Sequence, residues 1–396
     1  MEGDYIKISN WLRPLSWLYG CAVRLRNILF DMGVLKSQSF DVPVISVGNI
    51  TVGGTGKTPH VEYLVRLLHS QVRVAVLSRG YKRKSKGFVM ATDTTTARDI
   101  GDEPMQMKHK FPDISVAVCK NRSEGIRRLI GQDEKLDVVL LDDAFQHRYV
   151  KPGINILLVD YHRLIIYDKL LPAGRLREPL SGKNRADVVI VTKCPLNLKP
   201  MEYRVITKAM NLFPYQTLYF TTLDYGSLRP LYNKGVSRPH QIGCDEHVLL
   251  LTGIASPRQM MEDLQQFTTH LSPLSFPDHH TFSSKDYRRI NEAFAALPSP
   301  RCIVTTEKDA ARLADGSQLS DEVRQAIYVL PVSIKFMQNQ EEKFNEYILG
   351  YVRKNSRNSI LVKGKDDHKS QDGYHTGNGT HKLFFTTTDL TDYTDF

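Results

Sequence analysis

A glycine-rich segment that ends in lysine and threonine carries the clearest chemistry in this 396-residue sequence. An apolar stretch at residues 42–47 precedes it. Glycines let successive backbone N–H groups point at one anion, and a helix that begins there adds the positive end of its dipole. Lys57 would reach the β- and γ-phosphates of a nucleoside triphosphate, and the Thr58 hydroxyl would hold Mg²⁺. The segment therefore predicts a phosphate-binding loop made by Thr51, Val52, Gly53, Gly54, Thr55, Gly56, Lys57 and Thr58.

This loop departs from the strict pattern, which has glycine five residues before Gly56, where this chain has Thr51. It resembles the variant loop of ATPases related to septum-site and metallochaperone NTPases. Their extra lysine is missing, because Val52 stands in its place. A plain glycine turn is the alternative interpretation, and the predicted strand before the loop and helix after it disfavour that interpretation.

Two acids follow another apolar stretch, residues 136–141. Asp142 and Asp143 would repel each other at the end of a buried strand, and a divalent cation relieves that repulsion. We expect them to hold the same Mg²⁺ as Thr58. Asp102 precedes a proline in the first turn of a predicted helix, so the residues alone favour a helix cap over a proton acceptor for an attacking hydroxyl.

Other polar residues leave more than one interpretation open. Residues 276–280 contain His279 and His280, for which a surface position, an acid–base role and, least of all, a metal site are possible. Arg175 and Arg177 lie in a rigid turn and suit phosphate clamps. The basic residues 79–86 form either a solvated loop or a surface that meets an acidic substrate or lipid head groups.

The composition limits the partners. The formal net charge is +10 and the pI is about 9.2, which favours an anionic partner: a nucleotide, nucleic acid or an acidic membrane surface. Nucleic acid is supported only by the pI, because basic patches interleaved with aromatic residues are absent, and we expect no nucleic-acid partner. The five cysteines are scattered without a Cys-x-x-Cys pair, which indicates reduced thiols and neither a disulfide framework nor a zinc site.

The first 36 residues predict an amphipathic helix that associates with a membrane. Apolar residues recur at steps of three and four from Leu15 to Met32, and Trp11 and Trp17 add aromatic groups that suit an interface. No uncharged run reaches the length that spans a bilayer. Packing of this helix on its own domain is the alternative, and both can hold for different parts of its surface.

Strands that alternate with helices predict an α/β fold: a parallel sheet of the P-loop NTPase type with helices on both faces, a smaller C-terminal α/β domain and a disordered tail. The expected segments are the N-terminal helix at 1–36, the nucleotide-binding domain at 37–224, a linker at 225–245, the smaller domain at 246–354 and the tail at 355–396. Within the smaller domain, residues 326–332 are expected to form one strand and residues near 341–352 a helix.

An ordered set of motifs over roughly residues 10–330 resembles the tetraacyldisaccharide 4'-kinase family of lipid A biosynthesis. Ala144, where glycine is usual, and Lys82, where glycine is common, are small departures. The matching pieces are the loop with Gly48 and Asn49, Ser78-Arg79-Gly80-Tyr81, Gly101-Asp102-Glu103-Pro104, residues 142–147, residues 171–179, Val191-Thr192-Lys193-Cys194, Asp278-His279-His280 and Thr306-Glu307-Lys308-Asp309.

This resemblance implies a kinase that moves the γ-phosphoryl group of ATP to the 4'-hydroxyl of a tetraacylated glucosamine disaccharide 1-phosphate. It also implies a location at the cytoplasmic face of the bacterial inner membrane, with the N-terminal helix docked on the membrane surface and no obligate protein partner. Asp102 becomes the general base and His279 its partner, with Lys57 and Asp143 also catalytic. The implied Mg²⁺ ligands are Thr58, Asp142, Asp143 and Glu178. The substrate-binding candidates are Arg79, Tyr81, Gln146, Arg175 and Arg177.

The alternative function is a switch NTPase that acts on a protein partner or delivers a metal. Val52 in place of the extra lysine and the lack of a Cys/His cluster in the sequence argue against it.

Overall fold

The computed structural model describes residues 8–232, 240–254, 257–277, 280, 282–313 and 316–356. His279 and nearly all of the predicted tail lie outside the described residues.

Fourteen strands form two sheets in the described part of the chain. They are β1 (Val44–Gly48), β2 (Val74–Ser78), β3 (Val89–Met90), β4 (Ser115–Val118), β5 (Val138–Asp142), β6 (Ile154–Asp160), β7 (Val188–Thr192), β8 (Thr217–Tyr225), β9 (Arg229–Pro230), β10 (His247–Thr252), β11 (Leu271–Ser275), β12 (Arg301–Thr306), β13 (Ile327–Leu330) and β14 (Val332–Phe336).

The described α-helices connect and cover these strands. They are α1 (Arg13–Asp31), α2 (Lys57–Leu68), α3 (Ala97–Ile100), α4 (Asp102–Lys110), α5 (Arg122–Gln132), α6 (Pro200–Met210), α7 (Arg258–Leu264), α8 (Ser284–Ala295), α9 (Glu307–Arg312), α10 (Asp321–Ala326) and α11 (Glu341–Asn355). Short 3₁₀ turns occupy Asn10–Leu12, Tyr161–Arg163, Ile165–Tyr167 and Leu180–Arg185.

The large sheet has nine strands in the order β14-β8-β7-β6-β1-β5-β2-β4-β3. Its seven inner strands are parallel, and β3 and β14 close the two edges in antiparallel pairing. Strand β1 lies at the centre, and all five of its residues are buried, as expected for a parallel strand covered on both faces. The predicted α/β class with a large parallel sheet is confirmed.

Helices cover both faces of the large sheet. On one face, Val61, Leu64 and Val65 of α2 pack with Phe344 and Ile348 of α11 in one buried cluster. On the other face, side chains of α5 and α6 join two further clusters. Each of these fully buried apolar side chains contributes about 1.5–3 kcal/mol through the hydrophobic effect, so packing on both faces stabilises the sheet that carries the loop.

The second sheet has five strands in the order β11-β10-β12-β13-β9. The segments that form this sheet differ from the expected ones at two points. Within the expected linker, β9 pairs with β13. The single strand expected at residues 326–332 is two strands in different sheets, because the chain turns at Pro331 and β14 pairs with β8 of the large sheet. Helix α11 also packs on the large sheet.

Helix α1 packs on the large-sheet unit through Ser16, Tyr19 and the buried Phe30, and leaves most of its other large apolar residues exposed. Ser16 donates to the carbonyl of Leu170 and accepts from the N–H of Ala173, while Tyr19 donates to the carbonyl of Arg177. The exposed side chains on or beside the helix are Trp11, Leu15, Trp17, Leu18, Leu25, Ile28, Met32 and Val34. Among the described residues, no helix combines the length and the apolar character that crossing a membrane requires.

Candidate active site

The loop between β1 and α2 adopts a backbone that needs glycine. Gly53 has φ +122° and Gly56, the residue before the first turn of α2, has φ +79°. Most side chains avoid these values, and glycine does not. Lys57 and Thr58 are then the first two residues of α2, where the N–H groups of the first turn have no partner within the helix. The loop can therefore present backbone donors and a cation to one anion.

The neighbouring segment 175–177 forms hydrogen bonds with this loop and with the residues just before it. The N–H of Val52 donates to the carbonyl of Arg175, and the N–H of Arg177 donates to the carbonyl of Ile50, both at 2.8 Å. The Arg177 guanidinium also donates to the side chain of Asn49. The Asn49 amide in turn donates to the Thr55 hydroxyl at 2.8 Å. The loop is thus fixed from both ends by side chains and backbone outside it.

Asp143 is the first residue after β5, and its carboxylate lies near Lys57 of the loop and Arg177. Its Oδ1 lies 3.8 Å from Lys57 Nζ and 3.0 Å from a guanidinium nitrogen of Arg177. Burial raises the pKa of Asp143, but Lys57 and Arg177 outweigh that effect and hold its pKa below the ordinary value. Its φ of +48° is unusual for a residue with a side chain, which fits a strained position at a functional site.

Asp142 has the opposite environment. It is the last residue of β5 and pairs with Val47 of β1. The side chain is buried, and Oδ1 accepts no hydrogen bond from the described residues. Burial first, and then the charges of Glu103 and Asp143, raise the pKa of Asp142 to about 7. The carboxylates of Asp142, Asp143 and Glu103 therefore lie close together beside the loop, and the charges of Lys57 and Arg122 do not offset the burial of Asp142.

Asp102 is not the cap that its sequence context favoured. Gly101, with φ +95°, precedes α4 as its N-cap, and Asp102 is the first helical residue. The carboxylate of Asp102 accepts two hydrogen bonds from Arg312, at 2.8 and 3.0 Å. Arg312 belongs to α9, which follows a strand of the small sheet. Asp102 therefore directly contacts the second unit of the chain, which is the part that forms the five-stranded sheet.

The expected partner of Asp102, His279, lies outside the described residues. The neighbouring His280 has a structural environment: its Nε2 lies 3.0 Å from Asp286 at the start of α8. Hydrogen bonds from Ser283, and then His280, lower the pKa of Asp286 to about 2.

The remaining candidates lie around the loop and the turn after β5. Gln146 donates to the carbonyl of Asn49 at 2.7 Å. Arg79 adds its charge to a basic group around His147, where burial first and then Arg122, Arg26 and Arg79 lower the pKa of His147 to about 4. Tyr81 is 61% exposed.

Arg175 lies beside the loop glycine Gly53, where a Cβ atom would come 3.9 Å from its guanidinium. Glu178 forms an ion pair with Arg185 at 2.8 Å, and its other oxygen is buried without a hydrogen-bond partner among the described residues.

A cavity of about 220 Å³ lies between the loop and the second unit. Several of its lining residues had no role in the sequence analysis, although five of them (Glu103, Lys193, Thr306, Glu307 and Lys308) belong to the matching motifs. Its polar and charged lining residues are Thr55, Lys57, Thr58, Glu62, Glu103, Gln106, Lys193, Gln259, Thr306, Glu307 and Lys308.

The chain was then compared with known proteins. The family model described as "Tetraacyldisaccharide-1-P 4'-kinase" matches residues 8–353. This match covers most of the chain. The chain belongs to the tetraacyldisaccharide 4'-kinase family.

Two curated relatives and one solved structure agree with this assignment. A tetraacyldisaccharide 4'-kinase of Phocaeicola vulgatus is 58% identical over 91% of this chain and 99% of its own length. The enzyme of that name from Bacteroides thetaiotaomicron is 53% identical over 93% of this chain and 100% of its own. A crystal structure of LpxK from Aquifex aeolicus, an "apo" form in complex with ATP, is 32% identical and matches with a TM-score of 0.64 over 86% of this chain and 98% of that one.

In this member of the kinase family, ion pairs join the two units at the mouth of the cavity. Lys110 at the end of α4 lies 2.6 Å from Glu62 of α2 and 2.8 Å from Glu307 of α9. Lys308 lies 3.5 Å from Glu103. Together with the pair between Asp102 and Arg312, these contacts connect α4 to α9. The spacing of residues along the sequence gives no signal for such pairs, because their members are about 200 positions apart.

Proposed function

We propose that this chain transfers the γ-phosphoryl group of ATP to the 4'-hydroxyl of a tetraacylated glucosamine disaccharide 1-phosphate. The observation that carries the proposal is the pairing of Lys57, at the start of α2, with Asp143 at the end of the adjacent strand β5. This arrangement of loop lysine and strand-end acid is the one that phosphoryl-transfer enzymes use. Membership of the family supplies the lipid substrate.

The triphosphate would lie along residues 51–58. Backbone N–H groups of the loop and the first turn of α2 would bind the phosphate oxygens, and Lys57 would hold the β- and γ-phosphates. Negative charge on the transferring group is then met by fixed donors, which is the largest single contribution to catalysis in many enzymes. Arg175, beside Gly53, and Arg177, beside Asp143, would add charge from outside the loop.

The donor set next to the loop fits Mg²⁺. Asp142 carries a buried, unpartnered oxygen, and its burial raises its pKa to about 7 in spite of the nearby charges of Lys57 and Arg122, so a bound cation would stabilise its ionised form. Thr58, Asp142 and Asp143 would hold the ion, and the buried free oxygen of Glu178 makes that residue a further candidate. When bound, Mg²⁺ neutralises charge on the phosphate oxygens.

Asp102 would accept the proton of the 4'-hydroxyl, with His279 as a partner that orients it. The support from the described residues is that Asp102 lies at the start of α4, next to Glu103 of the cavity lining. Arg312 holds the carboxylate of Asp102 from the second unit. We infer that closure of the two units assembles this part of the site.

Helix α1 would dock the enzyme on the cytoplasmic face of the inner membrane. The support is its arrangement, in which one side contacts the protein through Ser16, Tyr19 and Phe30 while most of the large apolar residues face outward. Trp11 and Trp17 are 79% and 67% exposed, and aromatic residues of this kind favour the membrane interface. A substrate with four acyl chains stays in the bilayer, so an enzyme at the surface meets it there.

The reaction is tested by incubation of the protein with radiolabelled ATP, Mg²⁺ and the acylated disaccharide 1-phosphate in detergent. Transfer of label to the lipid is expected, and Lys57→Ala is expected to abolish it. Asp102→Asn is expected to lower kcat by about 10²–10⁴-fold with ATP affinity unchanged, as for loss of a general base. Loss of ATP affinity in Asp102→Asn would assign it to nucleotide or metal binding.

Membrane docking is tested by flotation with vesicles that contain anionic lipid. Leu18→Ser and Leu25→Ser together are expected to weaken binding by about tenfold or more, because each removes an exposed apolar side chain from the interface. Phe213→Ser, which removes an exposed aromatic group elsewhere on the large-sheet unit, is the matched control. Equal flotation of all three proteins would contradict docking through α1.

A further inference from the structure

Three residues with metal-binding side chains meet on the small sheet, away from the loop. Glu246 immediately precedes β10, and Cys302 is the second residue of the adjacent parallel strand β12. His240 is joined to Leu228 by a backbone hydrogen bond. All three lie at the amino ends of β10 and β12, whereas α9 and the cavity follow the carboxyl end of β12.

The geometry brings one ligand atom of each residue to the same point. Nε2 of His240 lies 3.0 and 3.1 Å from the two oxygens of Glu246. The ligand atoms of His240, Glu246 and Cys302 all lie within 4.8 Å of one another. Zinc bonds of about 2.0–2.3 Å in tetrahedral geometry place ligand atoms roughly 3.3–3.8 Å apart. An adjustment of about 1 Å by the side chains would close the three onto one ion.

The chemistry and burial of these residues favour zinc over other cations. Imidazole, carboxylate and thiolate are its ordinary protein ligands, and a thiolate disfavours Mg²⁺ and Ca²⁺. Cys302 is 1% exposed and Glu246 is 7% exposed, so two ligands come from the interior. The ring of His240 stacks on Tyr328 with centroids 4.4 Å apart and an angle of 14° between the planes, which fixes the direction of Nε2.

We propose that His240, Glu246 and Cys302 form a Zn²⁺ site that fastens the segment 240–246 to strands β10 and β12. Three protein ligands leave a fourth position for water, which would enter on the side of the partly exposed His240. Binding forms a bond between the ion and the Cys302 sulfur and releases the thiol proton to solvent. The scattered cysteines gave no zinc prediction, because only the pairing of β10 with β12 brings Glu246 and Cys302 together.

The competing explanation is a hydrogen-bond network without a metal. Glu246 also accepts from the N–H of Gly243 at 3.1 Å, so it orders the turn before β10 in either case. In that network Cys302 donates to Glu246, and burial together with Glu246 raises the pKa of the thiol. The two explanations differ in whether the full-length protein takes up zinc at these residues.

The test uses the full-length protein, stripped with a chelator and titrated with Co²⁺ and then with Zn²⁺. A sulfur-to-cobalt charge-transfer band that Zn²⁺ abolishes is expected, together with one Zn²⁺ bound per chain and a higher melting temperature. His240→Ala is expected to weaken Zn²⁺ binding at least tenfold. Cys302→Ser is expected to remove the charge-transfer band. Cys21→Ser, at an exposed cysteine of α1, is the matched control and is expected to keep both the Zn²⁺ affinity and the charge-transfer band.

Two outcomes would overturn the site. One is the absence of the sulfur-to-cobalt band in the wild-type protein. The other is Zn²⁺ binding that His240→Ala leaves unchanged, which would place the ion elsewhere. His240 is only partly buried, so its variant is expected to fold and the second outcome can be observed even if Cys302→Ser is unstable. Neither readout depends on kinase activity, so failure of this site and failure of the proposed reaction are distinguishable.

Discussion

Replacement of Asp142 by asparagine should make the metal-free protein more stable while it abolishes activity. The pKa of Asp142 rises from 3.8 to about 7, with burial as the largest cause. A carboxyl group whose pKa is higher in the folded protein than in the unfolded chain stabilises the fold below about pH 4. That stability is lost as the pH rises through about 7. Asparagine has nearly the same shape and no charge, so it escapes this loss.

The pKa change sets the size of the effect. At about 1.4 kcal/mol per unit, a rise from 3.8 to about 7 corresponds to roughly 4 kcal/mol of unfolding free energy. About 3 kcal/mol of this falls between pH 5 and pH 8, because the unfolded chain is already ionised at pH 5. Urea unfolding of wild type and Asp142→Asn at pH 5, 6, 7 and 8, without Mg²⁺ or nucleotide, measures the difference. The advantage of the variant should grow with pH and level off above 7.

Two further measurements test whether the effect comes from the buried charge of Asp142. Asp143→Asn should lose stability at pH 8, because the Asp143 carboxylate faces Lys57 and accepts from Arg177. Mg²⁺ with nucleotide should stabilise wild type more than Asp142→Asn, because only wild type offers the second carboxylate. Unfolding free energies of wild type and Asp142→Asn that run parallel from pH 5 to pH 8 would show that the Asp142 carboxyl is not strained by its burial. The argument for a cation there would then fail.

Three further changes test the surroundings of the site. Gly48→Ala would place a Cβ 2.7 Å from Phe145 Cβ. We therefore expect the free energy of unfolding in urea to fall by about 1–3 kcal/mol and kcat to fall more than tenfold. A near-normal kcat would contradict the close packing. Lys110→Met would leave buried Glu62 with only the more distant, partly exposed Arg66 as a cation, and should cost about 1–3 kcal/mol. A second change, Glu62→Gln, should restore part of this loss. Arg312→Lys keeps the charge but not the two-pronged contact to the proposed base, so kcat should fall about tenfold at unchanged KM for ATP, and an unaltered kcat would remove Arg312 from the site.

Much of the large sheet could be predicted because its elements are local. Helix α2 begins and ends at the residues where the apolar periodicity placed it, and β5 (Val138–Asp142) lies within two residues of the aliphatic stretch at 136–141 that predicted it. The strand before the loop is buried throughout. Such elements depend on side-chain patterns over five to twelve residues, which the sequence states directly.

The second half of the chain was harder to predict because strand partners are a tertiary choice. The apolar run around residues 326–332 indicated one strand, but the chain turns at Pro331 and divides between two sheets. Asp102 was expected to be a helix cap, because aspartate is common both at the capping position and in the first turn of a helix, and the sequence does not distinguish the two positions. Its contact with Arg312 depends on how α4 packs against α9.

The sequence by itself determined the conformation of the glycine-rich loop at residues 51–58, since the glycines, the lysine and the helix start all lie within eight consecutive residues. It also determined the acids at the end of β5 and the two-sided character of α1. Only the tertiary structure decided which charges meet: Lys57 with Asp143, Arg312 with Asp102, and His240 with Glu246 and Cys302. The physical reason is the distance along the chain over which each kind of interaction acts. Backbone geometry and hydrophobic periodicity act along neighbouring residues, whereas the energy of a buried charge depends on what packing brings within a few ångströms of it.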